Sequence, residues 1–484
     1  MIERSDVTDA VSELPESDDD GSTGTQALSW SPGPLDPELP PYLALLAALE
    51  ADIGAGALAA GTQLPPHRAL AQHLGLSLST VTKAYREAGV RGVVTGRIGQ
   101  GTFVSAPSAR HGGRGASGGA VNLGINLSPD VDQRAALRAS FAELTRGAGR
   151  DGLFAYDAQG GLPEHRAGLA EWIATPGFRP ATEQVFATNG AQHGLDLALA
   201  ILARPGETIL VEELTYVGFK ALASLRGHRL EPVAMDAEGV VPEALEAAAA
   251  ASGARIVYLM PTLHSPTGRT MGATRRRRIA EVIARADLHL IEDDVYGFLS
   301  EPKPEPIAGL APERTLYLAS LSKVFELGFR AGAMSVPAAL VDRAQFALRA
   351  TAWSATPMLF EAALRLARSG AMARILDDLR RECRQRVGLF RRFFPDAAGP
   401  AGAPAGYHVW LPLPAGWSAA DLFFAARNDG VLLTPPGSAS ADGAPEPGLR
   451  LCLGAATGSA DLERAMKVLR RLADRPLASM FSLA

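Results

Sequence analysis

Residues 315–330 read TLYLASLSKVFELGFR, an apolar run that passes into Ser320-Leu321-Ser322-Lys323 and reaches Arg330 seven residues after the lysine. Lys323 is one of only five lysines in a chain that has forty-two arginines. A desolvated amine can lose its proton and form a Schiff base with an aldehyde, whereas a guanidinium stays charged. The stretch therefore predicts a lysine retained for amine chemistry, and a surface lysine after a strand is the alternative explanation.

This apolar run is one of six strand-like runs that alternate with helical stretches. They lie at Gln184–Thr188, Thr208–Val211, Arg255–Met260, Leu288–Glu292, Thr315–Leu321 and Ala333–Val336. The alternation predicts a doubly wound, mainly parallel α/β sheet in a large subdomain over about 150–335. A smaller α+β subdomain is expected over about 340–475. Ligands of such sheets bind at the carboxyl ends of the strands, so the residues after each run are the candidate site residues.

Two of the other runs are followed by residues that carry chemistry. Asn189-Gly190-Ala191-Gln192 leads into a helix predicted over Gln192–Leu202, and a small-residue turn at a helix N-terminus offers free N–H groups to a phosphate. After the run at 288–292, the Asp293 carboxylate and the Tyr296 phenol stand three residues apart. Asp294, between them, is expected to face solvent or to cap a helix.

Together these residues match the needs of pyridoxal phosphate. Its aldehyde needs an amine, which Lys323 supplies, and its pyridine nitrogen needs a carboxylate such as Asp293 to stay protonated. Its phosphate needs N–H donors and an arginine, for which the turn at Gly190 and Arg330 are the candidates. The sequence therefore predicts a pyridoxal phosphate site at the strand ends of one sheet.

The charge distribution indicates a separate N-terminal organisation. Residues 1–38 hold ten acidic residues and one arginine, a net charge of −9, and predict a disordered acidic tail. Residues 39–106 hold five basic and three acidic residues, a net charge of +2, so the sign change marks a domain edge. The stretch 105–120, SAPSARHGGRGASGGA, predicts a flexible linker between a domain at 39–104 and a second domain at 121–484.

The 39–104 segment has the layout of a winged helix-turn-helix. Helices are predicted at Pro41–Ile53, Pro66–Leu74 and Leu78–Ala88, the third with Ser77 as its N-cap. The β-prone runs Val93–Thr95 and Gly101–Val104, joined by residues 96–100, predict a hairpin wing.

In such a fold the third helix enters the major groove of DNA. The candidate DNA-binding residues are Ser77, Ser79, Thr80 and Lys83 on that helix, Arg68 and Arg97 at phosphates, and Gln100 and Gly101 in the wing. A small helical dimerisation module with solvated basic residues is the alternative, since a net charge of +2 is weak. The order of three helices and a wing favours DNA binding.

The same segment resembles the winged helix-turn-helix of the GntR regulators. The matching positions are Gly61, Leu64, Pro65, Arg68, Leu70, Ala71, Leu74, Gly75, Ser77, Thr80, Val81, Ala84, Tyr85, Gly92, Gly99, Gly101, Thr102 and Val104. One departure is that the family usually has an arginine, which commonly touches DNA, where this chain has Leu78. The resemblance implies the fold, while the departure bears on the operator contact.

Residues 121–475 resemble the fold-type I aminotransferases in the order and spacing of their motifs. The resemblance implies Lys323 as the internal-aldimine lysine and Ser320, Arg330, Gly190, Ala191, Gln192 and Tyr156 as cofactor-phosphate residues, Tyr156 reaching a neighbouring subunit. Ser265 and Ser322 are further expected cofactor-binding residues. It further implies Asp293 at the pyridine nitrogen, Tyr296 near the ring oxygen, Tyr216 stacked on the ring and Arg450 as the clamp for a substrate carboxylate. The family's Asn-Pro-Thr-Gly stands here as Ser265-Pro266-Thr267-Gly268, so a serine replaces the asparagine that bonds the ring oxygen. His264 beside it is a possible substitute.

A GntR-like winged helix joined to an aminotransferase-like domain is similar to the MocR subfamily of regulators. The resemblance implies a cytoplasmic head-to-tail homodimer that binds operator DNA and pyridoxal phosphate and senses the vitamer or an amino compound through an aldimine at Lys323. A rival hypothesis is an aminotransferase with a secondary DNA-binding module, against which Ser265 counts. A third, a DNA-binding protein with an inactive cofactor fold, conflicts with the nearly complete residue set.

The remaining features limit other functions. The 484 residues are 47% hydrophobic, enough for several large cores. Cys383 and Cys452 form no metal or disulfide pattern, and no 18-residue apolar run or signal-like N-terminus is present, so we expect no metal site, membrane insertion or export. The run Arg275–Arg278 is expected to be a solvated face or a set of ion pairs rather than a second DNA patch. The five tryptophans are expected to serve packing.

Overall fold

The computed structural model describes residues 28–37, 39–54, 57–58, 61–90, 94–97, 101–104, 119–146, 153, 160–397 and 404–475. The chain divides into two compact units between residues 110 and 111. The acidic residues before residue 28 and the linker positions 105–118 lie outside the described residues. Within the described ranges, no helix is long and apolar enough to span a membrane.

The first unit contains three helices and a hairpin. They are α1 (Pro41–Gly54), α2 (His67–Leu74), α3 (Leu78–Val90) and the antiparallel strands β1 (Val94–Arg97) and β2 (Gly101–Val104). Gly75, in the left-handed conformation with φ 64°, ends α2, and the Ser77 Oγ accepts the Thr80 N–H at 3.1 Å to cap α3. The predicted helices and wing are confirmed. β1 ends later than predicted, because it runs through Arg97 into the residues expected to form the turn.

A buried tryptophan draws residues N-terminal to α1 into this unit. The Trp30 side chain is 7% exposed, packs with the core leucines, and donates from Nε1 to the Asp52 Oδ2 at 2.9 Å. Leu28 and Leu35 pack against the same core. The prediction of disorder through residue 38 is therefore wrong for residues 28–37, because eight of the ten acidic residues precede residue 21 and the apolar side chains that follow can be buried.

The second unit contains twelve helices and thirteen strands among its described residues. The helices are α4 (Arg134–Arg146), α5 (Pro163–Ile173), α6 (Ala191–Leu202), α7 (Val217–Leu225), α8 (Pro242–Ser252), α9 (Ala273–Arg285), α10 (Ile307–Leu310), α11 (Val341–Thr351), α12 (Pro357–Arg368), α13 (Ala371–Phe393), α14 (Ala419–Asn428) and α15 (Ser459–Ala473). The strands are β3 (Val121–Asn122), β4 (Val185–Thr188), β5 (Thr208–Glu212), β6 (Arg229–Val233), β7 (Met235–Asp236), β8 (Gly239–Val240), β9 (Ile256–Leu259), β10 (His289–Asp293), β11 (Thr315–Ser320), β12 (Gly332–Ser335), β13 (His408–Pro412), β14 (Val431–Leu432) and β15 (Gly448–Cys452).

Seven of these strands form the central sheet, in the order β4-β12-β11-β10-β9-β5-β6. β12 runs antiparallel to both of its neighbours, and the other pairs are parallel. The predicted mainly parallel sheet is confirmed, and all six predicted strands belong to it. β6 was not predicted because Glu231 and Pro232 interrupt its apolar pattern, which an edge strand tolerates.

A second hydrophobic core lies under the C-terminal elements. Helices α13, α14 and α15 contribute Phe390, Leu422 and Met466 to it, and the antiparallel pair β13/β15 contributes Leu451. The short strand β3 belongs to this subdomain although it begins the unit, because it pairs in parallel with β14. Its pairing places the loop after β3 beside the ends of β10 and β11.

The arginine run in α9 makes ion pairs. Arg275 bonds Asp236 at 2.7 Å, and Arg278 pairs with Glu243. Arg276 is fully buried, lies 3.7 Å from Glu292, and donates to the Pro261 carbonyl at 2.9 Å. The ion-pair prediction is confirmed, while a solvated face does not describe the buried Arg276.

Candidate cofactor site and DNA-binding face

Lys323 closes a short turn that follows β11. The turn is held by the Ser320 Oγ, which accepts the Ser322 N–H at 3.1 Å. The half-buried Lys323 donates from Nζ to the Asn126 carbonyl at 2.9 Å, and its Nζ lies 5.7 Å from the centre of the Tyr296 ring. Burial, and then the positive charge of Arg450, lower the pKa of Lys323 to about 8. A useful fraction of this amine is therefore neutral and nucleophilic near neutral pH.

A buried carboxylate ends β10, the strand next to β11. Asp293 accepts the Tyr258 hydroxyl at 2.9 Å on Oδ2 and the Val295 N–H at 3.3 Å on Oδ1. Burial raises the pKa of Asp293 to about 6, although its two hydrogen bonds act in the opposite direction and lower the pKa. Tyr258 is itself fixed by stacking on Phe219, with 3.9 Å between the ring centres. Asp293 is thus an oriented carboxylate that is ionised above about pH 6.

Tyr296 lies three residues beyond Asp293 and is buried. Its Oη accepts the Asn126 Nδ2 at 2.7 Å, and burial raises the pKa of Tyr296, so the phenol keeps its hydrogen. The Asn126 Nδ2 also lies 3.2 Å from the His408 Nδ1. Sequence reasoning missed Asn126, Tyr258 and His408, because each lies far along the chain from the motifs around Lys323.

A cradle for an anion lies at the start of α6. Gly190 has φ 79° and precedes the first turn of the helix, whose N–H groups have no partner within the helix. A Cβ at Gly190 would lie 2.7 Å from the Arg330 Nη2, so the absent side chain leaves room for the guanidinium. Arg330 also approaches the Ser322 Oγ at 3.4 Å and the Asn189 carbonyl at 3.5 Å. The structure brings Gly190, Ser322 and Arg330 together.

Gln192 and Tyr216 connect this cradle to the next helix. The Gln192 Nε2 donates to the Gly218 carbonyl at 2.9 Å, and the Tyr216 hydroxyl donates to the Gln192 Oε1 at 3.4 Å. Burial raises the pKa of Tyr216. Ala191 begins α6 and is half-buried. Tyr156, predicted to reach a neighbouring subunit, lies outside the described residues.

Arg450 on β15 lies against the serine that replaces the family's asparagine. It donates from Nη1 to the Ser265 Oγ at 3.2 Å and from Nη2 to the Thr434 Oγ1 at 3.4 Å. Its Nε is buried and has no hydrogen-bond partner among the described residues. The guanidinium thus keeps one buried donor for a ligand acceptor such as a carboxylate.

Two sequence expectations near this site are wrong. The His264 ring faces Glu212 and Thr267, with Nε2 3.2 Å from the Glu212 Oε2 and Nδ1 2.8 Å from the Thr267 Oγ1, so it does not replace the missing asparagine. Asp294 neither faces solvent nor caps a helix. Asp294 is 5% exposed and accepts the Tyr317 hydroxyl. Its N–H donates to the Leu318 carbonyl at 2.9 Å, which continues the pairing of β10 with β11 past Asp293 and keeps Asp294 inside the fold.

The predicted DNA-binding residues that the structure describes lie around the start of α3. The Ser77 Oγ lies 2.8 Å from both the Ser79 Oγ and the Thr80 Oγ1, and the exposed Lys83 Nζ lies 3.8 Å from the centre of the Tyr42 ring. Leu78, the first residue of the helix, is 44% exposed.

The remaining predicted DNA contacts lie on α2 and in the wing. Arg68 is exposed on α2, and Gly101, with φ 106°, begins β2. Gln100 and the side chain of Arg97 lie outside the described part of the chain.

The cofactor residues fit pyridoxal phosphate on the donor chemistry of this structure. An amine of lowered pKa, an oriented carboxylate and an anion cradle that a Cβ would fill meet at the ends of adjacent strands. An unpaired buried donor on Arg450 adds a position for a ligand acceptor. This sheet and this set of residues define a fold-type I protein that binds pyridoxal 5'-phosphate.

Comparisons with known proteins agree with both units. Residues 119–469 match the family of class I and II aminotransferases, and residues 41–104 match the gntR family of bacterial regulatory proteins. The chain belongs to the class I and II aminotransferase family, in the MocR-type form in which a gntR-family helix-turn-helix precedes the aminotransferase domain. The gntR-family segment makes it a DNA-binding regulator.

Two regulators and one solved structure are similar to this chain. The uncharacterized HTH-type transcriptional regulator YdeF of Bacillus subtilis is 29% identical over 453 residues, which cover 92% of this chain and 97% of the relative. The probable rhizopine catabolism regulatory protein MocR of Rhizobium meliloti is 29% identical over 337 residues, 63% of this chain and 67% of that protein. The crystal structure of LysN, the alpha-aminoadipate aminotransferase of Thermus thermophilus, complexed with N-(5'-phosphopyridoxyl)-L-leucine, is 27% identical with a TM-score of 0.63 and covers 73% of this chain and 94% of that one.

Proposed function

We propose that the aminotransferase-like unit senses pyridoxal phosphate or an amino compound that reacts with it, and that this event changes the binding of the helix-turn-helix to operator DNA. The observation that carries the proposal is Lys323, an amine of lowered pKa held beside Asp293 and Tyr296 in a chain that also has a recognition helix. Pyridoxal phosphate, when bound, supplies an aldehyde that exchanges one amine for another.

The chain's own residues divide the work of binding. Lys323 would supply the resident amine, and Asp293, ionised above about pH 6, would hold a protonated ring nitrogen. Arg330, Ser322 and the first turn of α6 hold the phosphate. Arg450 offers its unpaired Nε to a ligand carboxylate. An amino compound that takes the place of the Lys323 amine would leave the Lys323 side chain free, so the site would have two states for regulation.

An effector changes DNA occupancy only by the difference in its affinity for two such states. We infer that the operative assembly is a head-to-tail homodimer in which Tyr156 serves the neighbouring subunit. Two helix-turn-helix units in one dimer read two half-sites, so the operator is expected to contain a repeated sequence.

A second candidate function is transamination. Lys323, Asp293 and Arg450 are all in place, and the similarity to LysN, an aminotransferase, favours it. Ser265 stands where the family has the asparagine, and Ser265→Asn tests whether this replacement limits turnover.

The test uses the full chain loaded with pyridoxal phosphate. Binding to DNA from upstream of its own or the adjacent gene is measured at modest salt, because salt weakens phosphate contacts. We expect specific binding that changes when an amine shifts the visible absorbance. A colourless protein would contradict the proposed sensing function. DNA binding that stays the same through every change in absorbance would contradict it as well. Steady conversion of an amino donor and a 2-oxo acid would instead favour the enzyme.

A further inference from the structure

The hydrogen-bonding state of His408 is fixed by its surroundings. Its Nε2 lies 3.0 Å from the His264 carbonyl oxygen, which only accepts, so Nε2 carries the hydrogen. Burial, and then the positive charge of Arg450, lower the pKa of His408 to about 3, so the ring is neutral. The His408 Nδ1 therefore presents a lone pair.

This lone pair fixes the orientation of the Asn126 amide. The amide atom that lies 3.2 Å from the His408 Nδ1 must be an N–H donor, because an oxygen there would face the lone pair. The same Nδ2 donates its second hydrogen to the Tyr296 Oη at 2.7 Å. Both amide hydrogens are thereby used, and Tyr296 receives a hydrogen from Asn126 while its own remains to donate elsewhere.

The Asn126 Oδ1 is left as an acceptor. It is buried and has no hydrogen-bond partner in the part of the chain that the structure describes. The main-chain carbonyl oxygen of Asn126 is a second acceptor, and it accepts a hydrogen bond from the Lys323 Nζ at 2.9 Å. Buried acceptors are rarely left unpaired, so the Oδ1 calls for a donor on a ligand.

The segment that leads into Asn126 is fixed by main-chain contacts. The Leu123 N–H donates to the Leu432 carbonyl at 2.7 Å, and the Gly124 N–H donates to the Asn122 Oδ1 at 2.9 Å. A Cβ at Gly124 would lie 2.8 Å from the Leu433 carbonyl oxygen, so the loop lies directly against the main chain that follows β14. The two oxygens of Asn126 are consequently held in place before a ligand arrives.

We propose that Asn126 recognises the amino group of the incoming effector, with its Oδ1 and carbonyl oxygen as the two acceptors. The proposal rests on the amine-sensing function and names its specificity residue. A ligand N–H at this place would donate a hydrogen bond to the Asn126 Oδ1. A ligand carboxylate there would be repelled by the lone pairs of the two Asn126 oxygens. The expected effectors are primary amines whose carboxylate, where they have one, is directed to Arg450.

Methylamine is a suitable probe, because it is an amine with no carboxylate. Its Kd is measured from the visible absorbance of the full chain loaded with pyridoxal phosphate, for the wild type, Asn126→Ala, Asn126→Asp and the control Asn428→Ala at the exposed end of α14. We expect methylamine to bind at least tenfold more weakly to Asn126→Ala, and within about threefold of the wild type to Asn126→Asp and to the control.

The two variants separate recognition from a structural role. Both remove the N–H donors to Tyr296 and His408, but only Asn126→Asp keeps an oxygen at the Oδ1 position. Equal weakening in both variants would show a structural role and overturn the proposal. Wild-type affinity in Asn126→Ala would overturn it too, while leaving amine sensing intact. A wild-type absorbance that ignores methylamine and longer amines would remove amine sensing itself and the proposal with it.

A measurement on the cofactor-free chain adds an independent readout. The rate at which Lys323 is acylated is followed against pH to obtain the pKa of its amine. Asn126→Ala is expected to leave this pKa unchanged, because the contact to Lys323 is made by the main chain. Asn126→Asp is expected to raise it, because a neighbouring negative charge favours the ammonium. A large shift in Asn126→Ala would show that the side chain acts on Lys323 itself.

Discussion

The two units each depart from their family pattern at one position, and the departures have different surroundings. In the aminotransferase unit, Ser265 is buried, its Oγ accepts from Arg450 at 3.2 Å, and Asn126 brings another amide to Tyr296. In the helix-turn-helix, Leu78 is 44% exposed at the start of α3. Most polar atoms of a buried site are paired, and both Ser265 and Tyr296 have hydrogen-bond partners. An exposed position has no such constraint, so we expect its replacement to change which bases the helix reads.

The cofactor half of this comparison depends most on Lys323. Lys323→Ala removes the resident amine, so we expect complete loss of the amine-dependent change in DNA binding while the DNA binding of the untreated chain is retained. Electrophoretic mobility shifts with and without methylamine check this. Lys467→Ala is the matched control, because Lys467 is exposed and paired with Glu463. An amine response that survives in Lys323→Ala would separate the cofactor site from regulation.

The acid-base state of the same site gives the next largest effect. With the pKa of Lys323 lowered to about 8, the neutral fraction of the amine rises about tenfold per pH unit below 8 and levels off above it. The rate at which pyridoxal phosphate is incorporated into the cofactor-free chain should follow this curve. Below about pH 6 the rate of incorporation, or the amount of pyridoxal phosphate that stays bound, should fall further, because Asp293 becomes protonated and no longer offers a charged partner to the ring nitrogen. A rate that still rises steeply above pH 9 would contradict an amine of lowered pKa.

The exposed half of the comparison is tested at Leu78. A leucine at the start of a recognition helix suits the methyl group of thymine, whereas an arginine suits guanine, a difference of about 1–3 kcal/mol per base pair. Leu78→Arg should therefore shift one base preference from thymine to guanine in selections from random DNA. Leu78→Met, which keeps the apolar character, should not. An unchanged selected sequence in Leu78→Arg would show that this position does not contact bases.

The smallest effect is expected at Ser265. Restoring the family residue with Ser265→Asn should change the methylamine Kd and any transamination rate by no more than about threefold, because Tyr296 already has the Asn126 amide as its hydrogen-bond partner. Absorbance titration and a coupled assay measure the two quantities. A gain in turnover of more than tenfold would show that the surrounding residues do not make up for the missing asparagine. The buried departure at Ser265 and the exposed departure at Leu78 would then both change function.

The sequence predicted those parts of the fold and site that depend on local patterns. The six strands, the turn at Gly190 and the cap at Ser77 are encoded within a few residues and were found. Asn126 was not found, because its contacts to Lys323 and Tyr296 cross 197 and 170 residues. Trp30 was assigned to the disordered tail because average charge over 38 residues concealed one apolar anchor.

Strand β3 has a structural consequence inside the second unit. It begins at Val121, and Asn126 follows only five residues after its first residue. One end of this short segment pairs with β14 of the C-terminal subdomain, and the other end contacts Lys323 and Tyr296 beside the central sheet. Residues 121–126 therefore connect the two subdomains of the second unit through a few fixed hydrogen bonds.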